Sequence, residues 1–331
     1  MENIEQISKK GSLMTFRNDI KVLDCTIRDG GLVNNFEFTD EFVKRLYKAC
    51  SDAGVDYMEL GYKASKRIFA PSDFGKWKFC NEDDIRSIAD NDSKLKLSVM
   101  VDVDRTDYHT DVLPKSESAL SMIRVATYIH QIPKALDMIK DAHDKGYETS
   151  VNLMSISTVK ESELDEALEV LANSETDLIY LVDSFGALYP EQIRALAIKY
   201  LNFANAHGKS IGVHAHNNQQ LAFANTIESL TLGVSYADVT VSGLGRGAGN
   251  CPEELILGFL KNPKYHLRPI LGFIQDNIPQ LKASGVNWGF DLPYMLTGQL
   301  NIHPRDAINF LASEDKEKCL KFFDRFSSEI D

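Results

Sequence analysis

Short runs of apolar and β-branched residues recur along most of the chain, and segments with apolar residues at helical spacing separate them. Eight runs are strand candidates: Ile20 to Thr26, Val55 to Gly61, Leu95 to Val101, Leu120 to Thr127, Thr149 to Met154, Leu178 to Asp183, Ile211 to His216 and Ala237 to Ser242. Eight β/α units in about 240 residues predict an α/β fold of the (β/α)8 TIM-barrel type, because a doubly wound sheet usually has fewer strands.

The segments between these strands predict the helices of such a barrel. Glu41 to Ala53 and Glu163 to Ala172 have the helical pattern, and Pro190 to Ala206 has proline near its start, where helices favour it. Lys63 to Lys78 departs from the alternation and predicts a long loop or irregular insert. We therefore expect a polar lead at residues 1–19, a barrel domain at 20–262 and a helical C-terminal extension at 263–331, packed on or over the barrel.

Composition narrows the class of protein. The net charge of -12 and the pI near 5.2 argue against nucleic acid or an anionic membrane as a partner. No stretch of about 18 apolar residues occurs, and the N-terminus has no signal-peptide core. The five cysteines are odd in number and form no C-x-x-C pair, which indicates reduced thiols. We expect a soluble cytoplasmic protein.

The seventh predicted strand carries a His-x-His pair. Alternate side chains of a strand point to the same face, so His214 and His216 would lie roughly 7 Å apart on one side. Two imidazoles in this arrangement can bind one divalent metal. The same pattern would also result from two polar residues on the exposed face of an edge strand.

Other polar residues follow strand ends, where barrels of this type place their active sites. After the first strand, Arg28 can stabilise an oxyanion and Asp29 can bind a metal, although Asp29-Gly30 can equally be a simple surface turn. Asp183 ends the sixth strand and is either a carboxylate of the site or a turn and capping residue.

A glycine-rich loop follows the eighth strand, with four glycines between Gly243 and Gly249. Such a backbone can closely approach a phosphate or carboxylate, and loops at this place in barrels often do so. A tight structural turn is the alternative. The loop follows the last strand and lacks the G-x-G-x-x-G spacing, so it does not indicate dinucleotide binding.

Taken together, four motifs in order carry a resemblance: Asp24-x-Thr26-x-Arg28-Asp29-Gly30, Arg124-Val125-Ala126-Thr127, His214-x-His216-Asn217 and Gly243-Leu244-Gly245-Arg246-Gly247-Ala248-Gly249-Asn250. They resemble the metal-dependent aldolase and lyase superfamily on a TIM barrel, the HMG-CoA lyase-like proteins. The resemblance covers roughly residues 20–262 and favours the 4-hydroxy-2-oxovalerate aldolase branch.

This resemblance implies roles for individual residues. Asp29, His214 and His216 would bind a divalent metal, Mn²⁺ or Mg²⁺ first among the candidates, and Asn250 matches a further ligand of the lyase branch. Arg28 would stabilise an enolate oxygen. We also expect substrate-binding residues at four positions: Asp183, Asn217, Gly245 and Gly247.

The chain departs from the family pattern in its acid/base residue. Leu32 occupies the place of a histidine of the aldolase branch, and the glycine-loop cysteine of the lyase branch is missing, since Cys251 follows Asn250. Tyr294 roughly matches a C-terminal tyrosine of the aldolases and is the first candidate for proton transfer. The other candidates are Tyr128, Lys63 and His303.

Three functions remain open at this point. The favoured one is a metal-dependent aldolase or lyase acting on 4-hydroxy-2-oxo acids through a pyruvate-type enolate, with a 2-oxo acid and an aldehyde as partners. The alternatives are an acyl-CoA-dependent synthase or lyase of the same superfamily and a catalytically inactive binding barrel. A homodimer is the default expectation. The short C-terminal part does not support a partner dehydrogenase.

Overall fold

The computed structural model describes residues 17–90 and 93–327 and contains a closed barrel. Eight parallel strands follow one another in chain order, and the first pairs with the last. This confirms the predicted TIM barrel. The strands are β1 (Lys21–Asp24), β2 (Tyr57–Tyr62), β3 (Lys96–Asp102), β4 (Leu120–Thr127), β5 (Glu148–Leu153), β6 (Leu178–Asp183), β7 (Ser210–Ala215) and β8 (Tyr236–Val239).

Helices surround the barrel and continue beyond it. Their apolar faces pack on the strands, as the helical spacing of the sequence predicts. The described helices are α1 (Thr26–Asn34), α2 (Asp40–Ala53), α3 (Glu82–Arg86), α4 (Tyr108–Asp111), α5 (Ile132–Asp144), α6 (Glu161–Ala172), α7 (Pro190–Ala206), α8 (Ala222–Leu232), α9 (Glu253–Leu260), α10 (Leu267–Ala283), α11 (Leu292–Gln299), α12 (Arg305–Leu311) and α13 (Cys319–Ser327). No helix among these described residues is long and apolar enough to cross a membrane.

The barrel interior has an apolar lower part and a charged upper part. Leu178, Tyr180 and Val182 alternate along β6 and belong to one buried cluster with Leu23. The Tyr180 ring fits against Gly212, where any side chain would overlap it. The guanidinium of Arg124 lies 4.4 Å from the centre of the same ring, so the tyrosine contacts both the apolar layer and the buried charges.

The strand ends differ from the sequence prediction where the site begins. β1 stops at Asp24, and Thr26 starts α1, so the Asp29-Gly30-Gly31 stretch is helical and the simple surface turn is wrong. The glycines permit close packing: a Cβ at Gly30 would lie 2.7 Å from Leu244, and one at Gly31 would overlap Phe36. Both contacts hold α1 tightly against the rest of the molecule.

The helices after the barrel occupy two places. α10 packs on α2, where the rings of Phe42 and Phe273 lie 5.1 Å apart. α11, α12 and α13 form a small apolar cluster of their own. This cluster contacts the loops at the C-terminal ends of the strands, because Asn301 donates a hydrogen bond of 2.9 Å to the carbonyl of Ser157. The C-terminal helices therefore form a roof over part of the barrel mouth.

Candidate active site

Asp29, His214 and His216 converge at the C-terminal end of the barrel. One ligand atom from each lies within 4.8 Å of the other two. Nε2 of His214 is 3.5 Å from Oδ2 of Asp29, and the centres of the two imidazole rings are 5.0 Å apart. The structure thus brings together the three residues that were predicted from the sequence to bind a metal. Because all three are largely buried, they do not form the exposed face of an edge strand.

Hydrogen bonds determine which ring nitrogens are free. Nδ1 of His214 donates to Oδ2 of Asp238 at 2.9 Å, and Nδ1 of His216 donates to the carbonyl of Asp183 at 2.9 Å. A carbonyl and a carboxylate only accept, so each Nδ1 carries the proton and each Nε2 keeps its lone pair. Burial, the neighbouring His214 and the charge of Arg246 lower the pKa of His216 well below its usual value. Both imidazoles are therefore prepared to act as neutral ligands.

Three buried acceptor atoms at this point have no hydrogen-bond partner among the described residues. They are Oδ2 of Asp29, Nε2 of His214 and Oδ1 of Asn250. Asn250 is joined to His216 by a β-bridge, and its Nδ2 donates to the carbonyl of Leu244 at 3.3 Å. Buried acceptors without donors are costly unless a cation satisfies them. The donor set fits a divalent metal ion.

An interior charge cluster supports these ligands from below. It consists of Arg28, Asp29, Glu59, Arg124 and Asp238, all buried. Glu59 accepts from Nε of Arg28 at 2.7 Å and from Arg124 at 3.0 Å, and Arg124 also contacts Asp238 at 2.6 Å. Three carboxylates and two guanidinium groups leave one net negative charge. A cation at the ligand atoms would offset that charge in a place that excludes water.

Arg28 holds the position next to the ligands. Its Nη1 pairs with Asp29 and its Nε with Glu59, which fixes the plane of the guanidinium. Its Nη2 is buried and has no partner among the described residues. Burial acts against the charged form, but the neighbouring carboxylates prevail and raise the pKa of Arg28. The free N–H groups are therefore available to an anionic oxygen.

A cavity of about 410 Å³ opens above this group, and Arg28, Asp29, His214 and His216 form part of its wall. Residues from several strand ends and from the C-terminal roof complete it. The other charged residues of the wall are four cations, Lys78, Arg105, Arg246 and Arg305, and two carboxylates, Asp102 and Asp104. A cavity of this size with convergent polar groups is typical of a small-molecule site.

The expected substrate-binding residues shape the cavity from outside its wall. Asp183 accepts hydrogen bonds from the amides of Ala187 and Leu188, and burial raises its pKa to about 7. Asn217 caps α8 by accepting from the amide of Ala222 at 3.1 Å. For Asp183 the turn and capping alternative describes its side chain, while its carbonyl orients His216.

Two glycines of the loop after β8 allow neighbouring side chains to pack closely against the backbone. A Cβ at Gly245 would overlap the amide nitrogen of Asn250, and one at Gly247, where φ is +67°, would lie 3.1 Å from the ring of Tyr294. Neither glycine lines the cavity, but the residue between them, Arg246, does. The loop therefore positions Asn250 and delivers one cation.

The acid/base candidates fall into two groups. Tyr128 and His303 line the cavity, whereas Tyr294 packs against Gly247 and Lys63 pairs with Glu82 at 2.7 Å. Burial raises the pKa of the Tyr294 phenol. Leu32, which occupies the place of the aldolase-branch histidine, also lies on the cavity wall.

Sequence reasoning missed Lys78. Its Nζ lies 4.6 Å from the ring centre of Tyr62 and 4.2 Å from that of Phe69, with two further rings within 6 Å. The side chain has no hydrogen bond or ion pair to any described residue, and burial lowers its pKa. It comes from the irregular insert, which carries no periodic signal that could have revealed it.

The sequence did contain a signal for two members of the interior charge cluster. Glu59 and Asp238 each interrupt a strand whose other residues are mostly apolar. A charged residue in a buried strand requires a partner, so such interruptions predict an internal ion pair. For Arg305, by contrast, no local pattern distinguishes it from other arginines of the C-terminal part.

Comparisons with known proteins agree with this geometry. The sequence profile of the HMGL-like family matches residues 19–269. The chain is 29% identical to oxaloacetate decarboxylase of Mycobacterium tuberculosis, over 72% of this chain and 69% of that protein. It is 28% identical to 4-hydroxy-2-oxovalerate aldolase of Pelotomaculum thermopropionicum, over 78% and 75% of the two chains. The N-terminal domain of a candidate aldolase from Bacteroides vulgatus superposes with a TM-score of 0.74 at 27% identity, covering 90% of this chain and 98% of that one.

Proposed function

We propose a function from the premise that this chain belongs to the HMGL-like family, which makes it an enzyme of the aldolase and lyase class. The proposal is a divalent-metal-dependent lyase that breaks or forms a carbon–carbon bond beside a 2-oxo acid through a pyruvate-type enolate, with 4-hydroxy-2-oxo acids as its substrate class. One observation carries it: unpartnered acceptors of Asp29, His214 and Asn250 lie beside the unpartnered Nη2 of Arg28. We propose Mn²⁺ or Mg²⁺ as the metal.

The chemistry follows from these groups. Asp29, His214, His216 and Asn250 would hold the metal, which supplies a Lewis acid for the charge that develops on the ketone oxygen. Nη2 of Arg28 donates to the same developing charge, which is greater in the transition state than in the substrate. One such donor is commonly worth about 3 kcal/mol in a water-poor site, so its loss should cost about 100-fold or more in rate.

Cleavage also needs a base for the 4-hydroxyl group, and we propose Lys78. In its unprotonated form the amine would take the hydroxyl proton, the C–C bond electrons would pass to the enolate oxygen, and the aldehyde would leave. Lys78 lines the cavity and has no hydrogen-bond or ion-pair partner among the described residues, and burial brings its pKa below the ordinary value of 10.5. Asp102 raises and Arg105 lowers that pKa, so these are the charges that adjust it.

The test of the proposed function is exchange of the methyl protons of pyruvate in D₂O, followed by NMR. We expect exchange that requires Mn²⁺ or Mg²⁺ and falls by about 100-fold or more in Arg28→Ala. Absence of exchange by metal-loaded protein would reject the pyruvate enolate. An acyl-CoA substrate of the same superfamily would then be tested next.

A second candidate is decarboxylation of a 2-oxo diacid such as oxaloacetate. Loss of CO₂ also leaves a pyruvate enolate, but it needs no base for a hydroxyl group. The presence of Leu32 in place of the aldolase-branch histidine is therefore compatible with it. The M. tuberculosis relative points the same way. Rates of CO₂ release from oxaloacetate and of cleavage of 4-hydroxy-2-oxo acids, measured on one preparation, separate the two activities. The homodimer and the cytoplasmic location stay predictions.

A further inference from the structure

The C-terminal part of the chain contributes a second group of hydrogen-bond donors to the cavity wall. Arg246 comes from the glycine loop after β8, while His303 and Arg305 come from the C-terminal roof. We call these three residues the roof cluster. No carboxylate forms an ion pair with either arginine within the part of the chain that the structure describes. The two guanidinium groups therefore face the cavity without a direct ion-pair partner.

His303 adds a neutral donor to this group. Its Nδ1 accepts a hydrogen bond of 3.0 Å from the amide of Arg305, so the ring proton resides on Nε2. Burial, followed by the charges of Arg246 and Arg305, lowers the pKa of His303 to about 4. The ring also packs edge-on against Phe185, with 5.4 Å between the ring centres. Its orientation and its N–H are thereby fixed.

The roof cluster extends from the metal ligands outward. Arg246, His303 and Arg305 line the same cavity as His214 and His216. Burial lowers the pKa of Arg246, and the positive charge of Arg305 contributes to lowering it. A molecule bound at the metal ligands by one end can therefore reach the roof cluster with the other.

The remaining acids of the wall form no direct ion pair with the roof cluster among the described residues. Asp29 pairs with Arg28 and acts on Arg246 only through its charge, and Asp104 pairs with Lys134. Asp102 is subject to the charges of Lys78 and Arg105. Two neighbouring arginines without a carboxylate repel each other, and that repulsion disappears when an anion binds between them. Arginine is also the side chain best suited to carboxylate and phosphate groups.

We propose that the roof cluster binds an anionic group, a carboxylate or a phosphate, at the aldehyde end of the substrate. The orientation rests on the proposed function, which places the 2-oxo acid end at the metal ligands. The cavity of about 410 Å³ is of a size that holds ligands larger than a three-carbon oxo acid. The substrate class is thus a 4-hydroxy-2-oxo acid with a second, distal negative charge.

The first experiment measures binding and needs no turnover. Succinate and inorganic phosphate are titrated calorimetrically into Mn²⁺-loaded protein, into Arg305→Gln and into the control Arg268→Gln. Arg268 is exposed on α10 and does not line the cavity, so its substitution removes the same charge elsewhere. We expect saturable binding that weakens about 10- to 100-fold in Arg305→Gln and is unchanged in the control. Equal binding by all three proteins, or no binding, overturns the proposal.

The second experiment measures selectivity between matched aldehydes. Pyruvate is condensed with succinate semialdehyde or butanal, and with glyceraldehyde 3-phosphate or glyceraldehyde. The ratio of kcat/KM for the charged aldehyde to that for its neutral counterpart should fall about 10- to 100-fold in Arg305→Gln, with the carboxylate and phosphate pairs showing which anion is preferred. A ratio that Arg305→Gln leaves unchanged overturns the proposal. If pyruvate exchange is absent, the proposed function fails and the calorimetric result alone decides on the roof cluster.

Discussion

Replacement of Gly245 by alanine tests how the glycine loop serves the candidate metal centre. The backbone at Gly245 has no positive φ, so alanine fits its conformation. The added Cβ would instead lie inside 3.0 Å of the amide nitrogen of Asn250 and 3.2 Å from its Cγ. The strain therefore falls on one ligand side chain, while the barrel is left intact.

The size of the effect follows from this overlap. An ordinary Cβ contact begins at 3.4 Å, so the Asn250 amide must retreat by at least 0.4 Å. Metal–ligand distances tolerate a change of about 0.2 Å, so the displaced amide cannot remain a ligand. Loss of a group that positions a metal ligand typically lowers metal affinity about 10- to 100-fold. This corresponds to about 1.4 to 2.8 kcal/mol.

The assay is calorimetric titration of Mn²⁺ into metal-free protein, with thermal unfolding of the same samples as a check on the fold. Gly258→Ala is the matched control, because that glycine lies in α9 and nothing would meet its Cβ within 4 Å. We expect weaker Mn²⁺ binding in Gly245→Ala and wild-type binding in the control. Asn250→Ala should lose a similar amount.

A double-mutant cycle decides whether the two residues act as one unit. If Gly245 acts only by allowing Asn250 to approach, the double variant should bind Mn²⁺ no more weakly than Asn250→Ala. Losses that add would refute this reasoning. Wild-type Mn²⁺ affinity in Gly245→Ala would refute the assignment of Asn250 as a ligand.

Three further predictions concern metal binding, stability and pH dependence. His216→Ala should lose stoichiometric Mn²⁺ while its circular dichroism spectrum stays that of the wild type, and full retention of the metal would contradict the assigned ligand set. Burial raises the pKa of Asp24 to about 7 and that of Glu253 well above its usual value, so the folded protein binds more protons than the unfolded chain and its stability falls as pH rises from about 4 to about 7. Urea unfolding should show that the free energy of unfolding decreases less between about pH 5 and about pH 8 in Glu253→Gln than in the wild type. An equal decrease in both proteins would contradict the role of these buried carboxyl groups. Lys78→Met should slow cleavage of a 4-hydroxy-2-oxo acid by about 100-fold or more and remove the pH dependence that a lysine with a pKa below 10.5 gives, whereas an unchanged profile would exclude Lys78 as the base.

The barrel could be predicted because its pattern is local and repeated. Each strand candidate lies within a few residues of an observed strand, and Lys63 to Lys78 is irregular apart from a short 3₁₀ helix at Lys76–Lys78. The errors occur at element ends. Thr26 was assigned to the first strand but begins α1, because Gly30 and Gly31 let that helix pack closely against Leu244 and Phe36, a contact that strand periodicity does not express.

The candidate metal ligands could be predicted for a similar reason. His214 and His216 are two residues apart on one strand, and Asp29 follows another, so the rule that barrel strands end at one face suffices to bring them together. The sequence also suggested the glycine loop, but it assigned ligand contact to Gly245 and Gly247. The structure instead gives them close packing, with Arg246 between them on the cavity wall.

The sequence by itself determined the barrel and predicted Asp29, His214 and His216 as metal ligands, because alternation along a strand and the position of strand ends are properties of the local chain. Only the tertiary structure decided the remainder of the cavity. Lys78 belongs to an insert without periodicity, and Arg305 belongs to the C-terminal roof, which is distant in sequence from the strands. The effect of their charges depends on neighbours that are distant in sequence: aromatic rings surround Lys78, and no carboxylate among the described residues forms an ion pair with Arg246 or Arg305. Electrostatic environment depends on distances across the fold, and no spacing along the chain encodes it.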